Sequence, residues 1–381
     1  MNPPAGEFVS SAADERHMRR ALELARHGLY STDPNPRVGC VLVRNGATVG
    51  EGWHERAGEA HAEVHALQSA GPAAQGATAY VTLEPCAGHG RTPPCVQALL
   101  AAQVARVVYA AGDPNPRMQG GGSLLAAAGV EVQGGLLRAE ARALNAGFFK
   151  RIETGLPWVR VKLGASLDGR TALANGASRW ITSPAARKDA QTWRARSSVV
   201  LSGIGTILGD DPALNVRLPG ATRQPLRVVL DSQLRTPVKA RTVYREGEGC
   251  ALILGALETF NEPQQQARAA ALRARGAQVE ALPSSAPGQL DLQALLRRLA
   301  ERQANEIWVE AGAQLAGAFI AAGLVDELIV YVAPCLLGPD ARPLAQLPRL
   351  EKLEDRYQFR LGEVLRIEDD LRLQYLRTTP G

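Results

Sequence analysis

The sequence predicts an α/β protein built as two domains, and three observations carry that reading. Its 381 residues exceed what one hydrophobic core usually serves, because domains typically run to about 100–200 residues. Helix-like segments alternate with short β-branched runs along the whole chain, which is the pattern of layered helices and strands. The register of that alternation changes across Asn145 to Thr154, and Gly155 and Pro157 then open a new strand. The boundary is therefore expected near residue 150, giving domains at 14–150 and 151–381.

In the first domain Asp14 to His27 reads as an amphipathic helix. Val38 to Val43 and Thr78 to Leu83 read as strands, with an Ala-rich helix from His61 to Ala70 between them. Val104 to Ala110 is expected as a strand, Ser123 to Ala128 as a short helix and Val130 to Val132 as a further strand. The second domain repeats the alternation. Trp158 to Leu163, Ser198 to Gly203, Leu226 to Asp231, Ala251 to Gly255, Glu306 to Glu310 and Glu327 to Val332 look like strands. Pro283 to Gly288 reads as a surface loop and Leu290 to Gln303 as a helix. No internal repeat at solenoid periods is present.

Composition narrows the function. Met1 to Ala13 carries no basic residue followed by an apolar core, and no run of about 18 apolar residues occurs, so a cytoplasmic protein without a membrane partner is expected. Cys40, Cys86, Cys95, Cys250 and Cys335 are an odd, sparse set, better suited to free thiols or metal ligands than to disulfides. The net charge of +5 lies entirely beyond residue 150 and is scattered. It suits an anionic small molecule and argues against nucleic acid, which would need a basic, aromatic-bearing groove.

The first domain holds a metal constellation. His61-Ala62-Glu63 precedes Pro85-Cys86, and Cys95 follows in Pro93-Pro94-Cys95. One imidazole and two thiolates match a tetrahedral Zn²⁺ that keeps its fourth position for water. Glu63 is then the carboxylate that carries protons between that water and a leaving amine, and the order His-x-Glu, Pro-Cys, Cys is that of the zinc deaminases. A closed structural zinc site would have no use for Glu63. His65 lies one turn from His61, but a zinc-protease helix needs Glu directly after its first His, and Ala62 stands there. His65 is expected to pack.

Four segments, Pro34-Asn35-Pro36-Arg37-Val38-Gly39, His61 to Leu67, Thr82-Leu83-Glu84-Pro85-Cys86 and Gly90-Arg91-Thr92-Pro93-Pro94-Cys95, closely resemble the bifunctional riboflavin-biosynthesis deaminase/reductase family. Eight residues between the cysteines mark that family off from cytidine and transfer-RNA adenosine deaminases. The resemblance implies a cytidine-deaminase-like three-layer domain that removes the 2-amino group of 2,5-diamino-6-(5-phosphoribosylamino)pyrimidin-4-one. It places Asn35, His54 and Arg91 on the pyrimidine and its ribose phosphate. One departure stands out, since Ala87-Gly88 replaces the family's Ser-His, and His89 is the neighbouring imidazole that would take over the ring contact. Ala60 also replaces the usual Pro before the zinc His. The alternative reading is a reductase with an impaired or relic deaminase domain.

In the second domain Trp158 to Leu163 runs into Gly164, and Ile307 to Glu310 leads into Ala311-Gly312 ahead of a helix that contains Gly317. A strand, a glycine turn and a helix N-terminus suit a pyrophosphate, although the three-glycine dinucleotide fingerprint is absent. Ser178 to Ser183, Asp210 to Leu214, Asp231-Ser232 and Val309 to Gly312 resemble the same family's reductase, which implies a dihydrofolate-reductase-like fold. By that similarity Gly164, Trp180, Thr206, Asp210, Ser232 and the turn Gly312, Ala313, Gln314, Leu315, Ala316, Gly317 and Ala318 bind NADPH. Ser178, Arg194, Leu214, Arg217 and Glu310 line the substrate pocket. Arg194 and Arg217 are the expected clamps for the 5-phosphate, and Lys162 and Glu310 the polar groups near the reacting carbon. The family also implies a homo-oligomer, and the apolar Glu327 to Val332 strand is its expected contact.

Overall fold

Ser11 and Asp14 start the first helix as a capping box: Asp14 N donates to Ser11 Oγ at 3.0 Å, and the Asp14 carboxylate accepts from Ser11 N at 3.2 Å. Two of the backbone donors left orphaned at a helix start are thereby satisfied. The computed structural model describes residues 11–90, 92–243 and 251–378, and the chain divides into two units, Met1–Gly155 and Leu156–Gly381.

The first unit contains α1 (Ala12–His27), β1 (Gly39–Arg44), β2 (Ala47–Trp53), α2 (Ala62–Ala70), β3 (Thr78–Leu83), α3 (Cys95–Ala101), β4 (Arg106–Ala111), α4 (Gly121–Ala127), β5 (Glu131–Gly134), α5 (Arg138–Leu144) and α6 (Ala146–Thr154). Its sheet runs β2-β1-β3-β4-β5, with β1 antiparallel to both neighbours and β3, β4 and β5 parallel. In the β1–β2 register Gly39 faces Trp53 and Cys40 faces Gly52, so Gly39 and Gly52 point to opposite faces. A Cβ on Gly39 would lie 2.0 Å from Ala21 O of α1, and one on Gly52 would lie 2.4 Å from Ala66 N of α2. The two helices therefore cover opposite faces at a spacing that only glycine permits, and the unit has three layers.

The segment read as the interdomain junction is helical. α6 crosses residue 150 and buries Phe148 and Phe149 in the first unit's core, so the units part after Gly155. Its local pattern looks transitional because the apolar side is short and its burial depends on distant partners.

The second unit contains β6 (Trp158–Ser166), β7 (Arg170–Ala172), α7 (Pro184–Arg196), β8 (Val199–Gly203), α8 (Ile204–Asp210), β9 (Leu226–Leu230), β10 (Ala251–Ala256), α9 (Pro263–Ala274), β11 (Gln278–Leu282), β12 (Ser284–Ala286), β13 (Gln289–Leu290), α10 (Leu292–Glu301), β14 (Glu306–Glu310), α11 (Ala313–Ala321), β15 (Glu327–Ala333), β16 (Arg342–Pro343), β17 (Phe359–Ile367) and β18 (Asp370–Arg377). Nine strands form one sheet in the order β11-β10-β9-β8-β14-β6-β15-β18-β17, parallel from β11 to β15 and antiparallel at the β15–β18–β17 end. Side chains alternate between faces. Val199, Leu201, Ile307 and Val309 pack with α10 and α11, whereas Val200 and Trp308 pack with α7 on the other side. The loop expected at Pro283 to Gly288 contains β12, which pairs with β13 as a small hairpin.

The apolar run of β15 has a different cause from the one expected. β15 lies inside the sheet between β6 and β18 and is buried along most of its length, so its composition is that of a strand covered on both faces. The exposed edge belongs to β17, where Leu361, Val364 and Leu365 reach solvent. Among the described residues, no helix is long and apolar enough to cross a membrane.

Candidate active sites

In the first unit three short elements deliver the metal donors. His61 is the N-cap of α2, Cys86 follows β3 across Glu84-Pro85, and Cys95 is the first residue of α3. His61 Nδ1 lies 3.3 Å from Cys95 Sγ and 3.6 Å from Cys86 Sγ, and all three donor atoms fall within 4.8 Å of one another. Nδ1 is thus the nitrogen turned to the metal position, while Nε2 faces Thr92 Oγ1 at 3.4 Å. The hydrogen bond from Cys95 lowers the Cys86 thiol to about 4, against the opposing effect of burial, with His61 assisting. Cys95 N also donates to Cys86 Sγ at 3.2 Å. A thiolate, an imidazole and a second thiol in this arrangement fit zinc with an open fourth position.

Glu63, on the first turn of α2, is buried. Burial pushes its carboxyl above the usual range, and the His61 charge opposes that rise. A buried carboxyl one turn into the helix that His61 caps is placed to exchange protons beside the metal donors.

Asn35 and His54 are brought together beside this cluster. His54 Nδ1 donates to Ala60 O at 3.0 Å, which leaves Nε2 to accept from Asn35 Nδ2 at 3.1 Å. Burial holds the His54 pKa down, in keeping with a neutral ring. Its ring centre is 5.3 Å from that of His61, edge-on. Tied through Nδ2, the Asn35 amide retains its carbonyl oxygen as an acceptor.

His89 is exposed and hydrogen-bonds to no described residue, and Arg91 lies outside the described residues. The backbone explains the Ala87-Gly88 pair. Ala87 N donates to Met118 O at 2.9 Å, and a Cβ at Gly88 would sit 1.9 Å from Arg117 O. No side chain fits at 88 against this loop. Sequence reasoning missed Thr92 and Asp113. Asp113 is buried, and desolvation raises its carboxyl to about 6 even though Asn115 N donates to it at 2.9 Å. No spacing rule pointed to either residue, since neither belongs to a ligand motif.

In the second unit a cavity of about 2050 Å³ opens at the C-terminal ends of β6, β8, β9 and β14, which is where parallel sheets hold ligands. It is lined by Lys162, Gly164, Ser178, Trp180, Arg194, Thr206, Asp210, Leu214, Arg217, Ser232, Glu310, Gly312, Ala313, Gln314, Leu315, Gly317 and Ala318. Ala316 is turned away from it and packs in the core beneath α11.

Charge in this cavity is organised around Glu310, which faces Lys162 across the β14–β6 register. Arg194 grips Glu310 through two hydrogen bonds, Nε at 2.5 Å and Nη2 at 2.6 Å, and its Nη1 donates to Asn215 O at 2.9 Å. Trp308 Nε1 adds a bond to Glu310 Oε1 at 2.6 Å, and its ring stacks on Trp193 at 5.7 Å. Burial alone would raise Glu310, but Arg194, Lys162 and Trp308 together bring it down to about 2. Burial lowers Lys162, with Glu310 opposing. Arg194 is therefore engaged in fixing Glu310 here, while Arg217 is exposed at the cavity and bonds Asn215 Oδ1 at 3.0 Å. Trp193, Trp308 and Asn215 had no signal in the sequence, because their roles arise from contacts between strands and helices far apart in the chain.

Residues 11–111 match the cytidine and deoxycytidylate deaminase zinc-binding region, and residues 157–373 match the RibD C-terminal domain. The riboflavin biosynthesis protein RibD of Escherichia coli (strain K12) is 52% identical over 371 residues, covering 94% of this chain and 98% of the relative. The chain belongs to the RibD family. The RibD of Haemophilus influenzae is 46% identical, over 96% of this chain and 98% of its own. Among solved structures, Acinetobacter baumannii RibD superposes with a TM-score of 0.87 at 44% identity, covering 96% of this chain and 99% of that one. A deaminase/reductase of Thermotoga maritima gives 0.83 at 30% identity over the same shares. As a RibD family member the protein is a bifunctional enzyme of riboflavin biosynthesis, with a zinc-dependent deaminase and an NADPH-dependent reductase.

Proposed function

We propose that the first unit deaminates 2,5-diamino-6-(5-phosphoribosylamino)pyrimidin-4-one and that the second reduces the ribosyl chain of the product to a ribityl chain. The product is then 5-amino-6-(5-phosphoribitylamino)uracil. The Thermotoga maritima relative is described as a diaminohydroxyphosphoribosylaminopyrimidine deaminase and 5-amino-6-(5-phosphoribosylamino)uracil reductase. The observation that carries the reading is the convergence of His61, Cys86 and Cys95, with Glu63 buried on the same helix turn. The same convergence counts against a relic deaminase.

Zinc held by His61, Cys86 and Cys95 supplies the Lewis acidity that makes water nucleophilic near neutral pH. Glu63 would take up a proton from the attacking water and return it to the departing amine, which would leave as ammonia. Asn35 and His54 orient the pyrimidine, with Arg91 as the partner for its ribose phosphate and His89 at the rim. When bound, NADPH would supply the hydride for C1 of the opened ribose. Gly164, Trp180, Thr206, Asp210, Ser232 and the Gly312–Ala318 turn hold the cofactor. Lys162 and Glu310 face the reacting carbon, Ser178 and Leu214 line the substrate side, and Arg217 takes the 5-phosphate. We place the enzyme in the cytoplasm as a homo-oligomer.

An assay that reads ammonia release and NADPH oxidation separately tests both halves. With the diaminopyrimidine as substrate, ammonia should appear first and NADPH consumption should follow. Oxidation of NADPH on the deaminated substrate, with no ammonia from the diaminopyrimidine, would overturn the deaminase assignment.

A further inference from the structure

Glu84 is not among the metal donors, yet it stands between β3 and Cys86 and its carboxylate reaches both ends of the loop that follows β4. Oε2 accepts from Asp113 N at 3.2 Å, where the loop begins, and Oε1 accepts from Gly122 N at 3.0 Å, on the first turn of α4. Gly120, the N-cap of α4, has no side chain to offer those first amides, so the end of a neighbouring strand supplies the acceptor.

The loop between these two bonds lies along the Cys86 segment. Ala87 N donates to Met118 O at 2.9 Å, a Cβ on Gly121 would stand 1.8 Å from Pro85 O, and one on Gly88 would stand 1.9 Å from Arg117 O. The loop is also tied within itself. Asn115 N donates to Asp113 Oδ1 at 2.9 Å, Arg117 N to Asn115 Oδ1 at 3.1 Å and Met118 N to Asn115 O at 2.9 Å. On its other side Cys86 meets α3, where Cys95 N donates to its Sγ at 3.2 Å and Val96 N to its carbonyl at 3.3 Å.

We propose that Glu84 is a positioning residue for the metal centre: by closing the 113–122 loop at both ends, its carboxylate holds residues 85–88 in place and so sets Cys86 Sγ against His61 and Cys95. The inference rests on reading those three residues as the zinc donors. A carboxylate that accepts two backbone N–H groups makes charge-assisted bonds, about twice as strong as neutral ones. An amide of the same size turns its own N–H donors toward one of those two groups, so one end of the loop comes free. Groups that orient metal ligands without touching the metal are typically worth about 10- to 100-fold in metal affinity.

Zinc transfer from the full-length protein to a chromogenic chelator tests this, with Glu84→Gln and Cys86→Ser beside the parent. Cys86→Ser should retain little or no zinc. Glu84→Gln should release zinc about 10- to 100-fold faster than the parent, while the melting temperature of the metal-free protein and the reductase rate on the deaminated substrate stay at parental values. In cobalt-loaded protein the thiolate-to-metal absorption of Glu84→Gln should shift or weaken, which a contribution to folding alone would not produce. Parental zinc release with a parental cobalt spectrum overturns the positioning role. Faster release matched by a lower melting temperature of the metal-free protein also overturns it, since Glu84 then serves the fold alone. If Cys86→Ser holds zinc as firmly as the parent, the donor assignment itself fails, and the role of Glu84 with it.

Discussion

Glu63 and Glu310 are both buried carboxyls, and their surroundings drive them in opposite directions. Burial raises Glu63, whereas a bidentate arginine brings Glu310 to about 2. The first is equipped to move protons and the second to remain an anion. Glu63→Gln should keep the zinc content of the parent, measured by elemental analysis, yet slow ammonia release by about 100- to 10,000-fold. NADPH oxidation on the deaminated substrate should be unaffected. A loss under threefold removes Glu63 from the mechanism. For Glu310 the linkage has a definite sign. Its folded pKa lies below the ordinary value of 4.5, so the stability it adds is fully present above that pH and is lost as pH falls toward about 2. Arg194→Gln leaves burial opposed by Lys162 and Trp308 alone, so Glu310 protonates at higher pH. The acid limb of the reductase pH profile should move to higher pH than in the parent, and identical profiles would rule out this pairing as the control of Glu310.

At the scale of elements, the deaminase site depends on how closely α2 lies on β2. Gly52 is where the two backbones meet, and an added methyl would stand 2.4 Å from Ala66 N, one turn from Glu63. Backbone cannot yield as a side-chain end would, so Gly52→Ala should destabilise the unit by about 1–3 kcal/mol and displace the helix that carries both functional groups. Thermal unfolding should report the loss, with deaminase activity falling and NADPH affinity holding. Parental stability and deaminase rate in Gly52→Ala would show that the approach is not tight. The same reasoning accounts for Gly88, whose approach to Arg117 O leaves no room for a side chain.

For the whole molecule, the nine-stranded sheet ends in β17, where Leu361, Val364 and Leu365 are exposed to solvent. An exposed apolar edge strand invites pairing with another copy. Light scattering at working concentration is expected to report a homo-oligomer, and a mass of one chain throughout would refute it. Replacing Val364 and Leu365 with lysine should then shift the population toward single chains.

The sequence by itself determined the α/β alternation, the location of most core strands, the zinc donors and Glu63. These are written in local pattern: period, β-branched runs, and ligand types separated by a strand and a turn. It did not contain the reason for β15's apolarity, the helical state of 146–154 or the engagement of Arg194 by Glu310. Each of those depends on partners far apart in the chain. β15 is apolar because both of its faces are covered, Leu328 and Val330 packing in one core and Ile329 and Tyr331 in the other, α6 forms because its two phenylalanines reach the first unit's core, and Arg194 is held because α7 and β14 meet 116 residues apart. The tertiary structure also decided that position 88 must be glycine, since a backbone oxygen of Arg117 occupies the space that a side chain there would need.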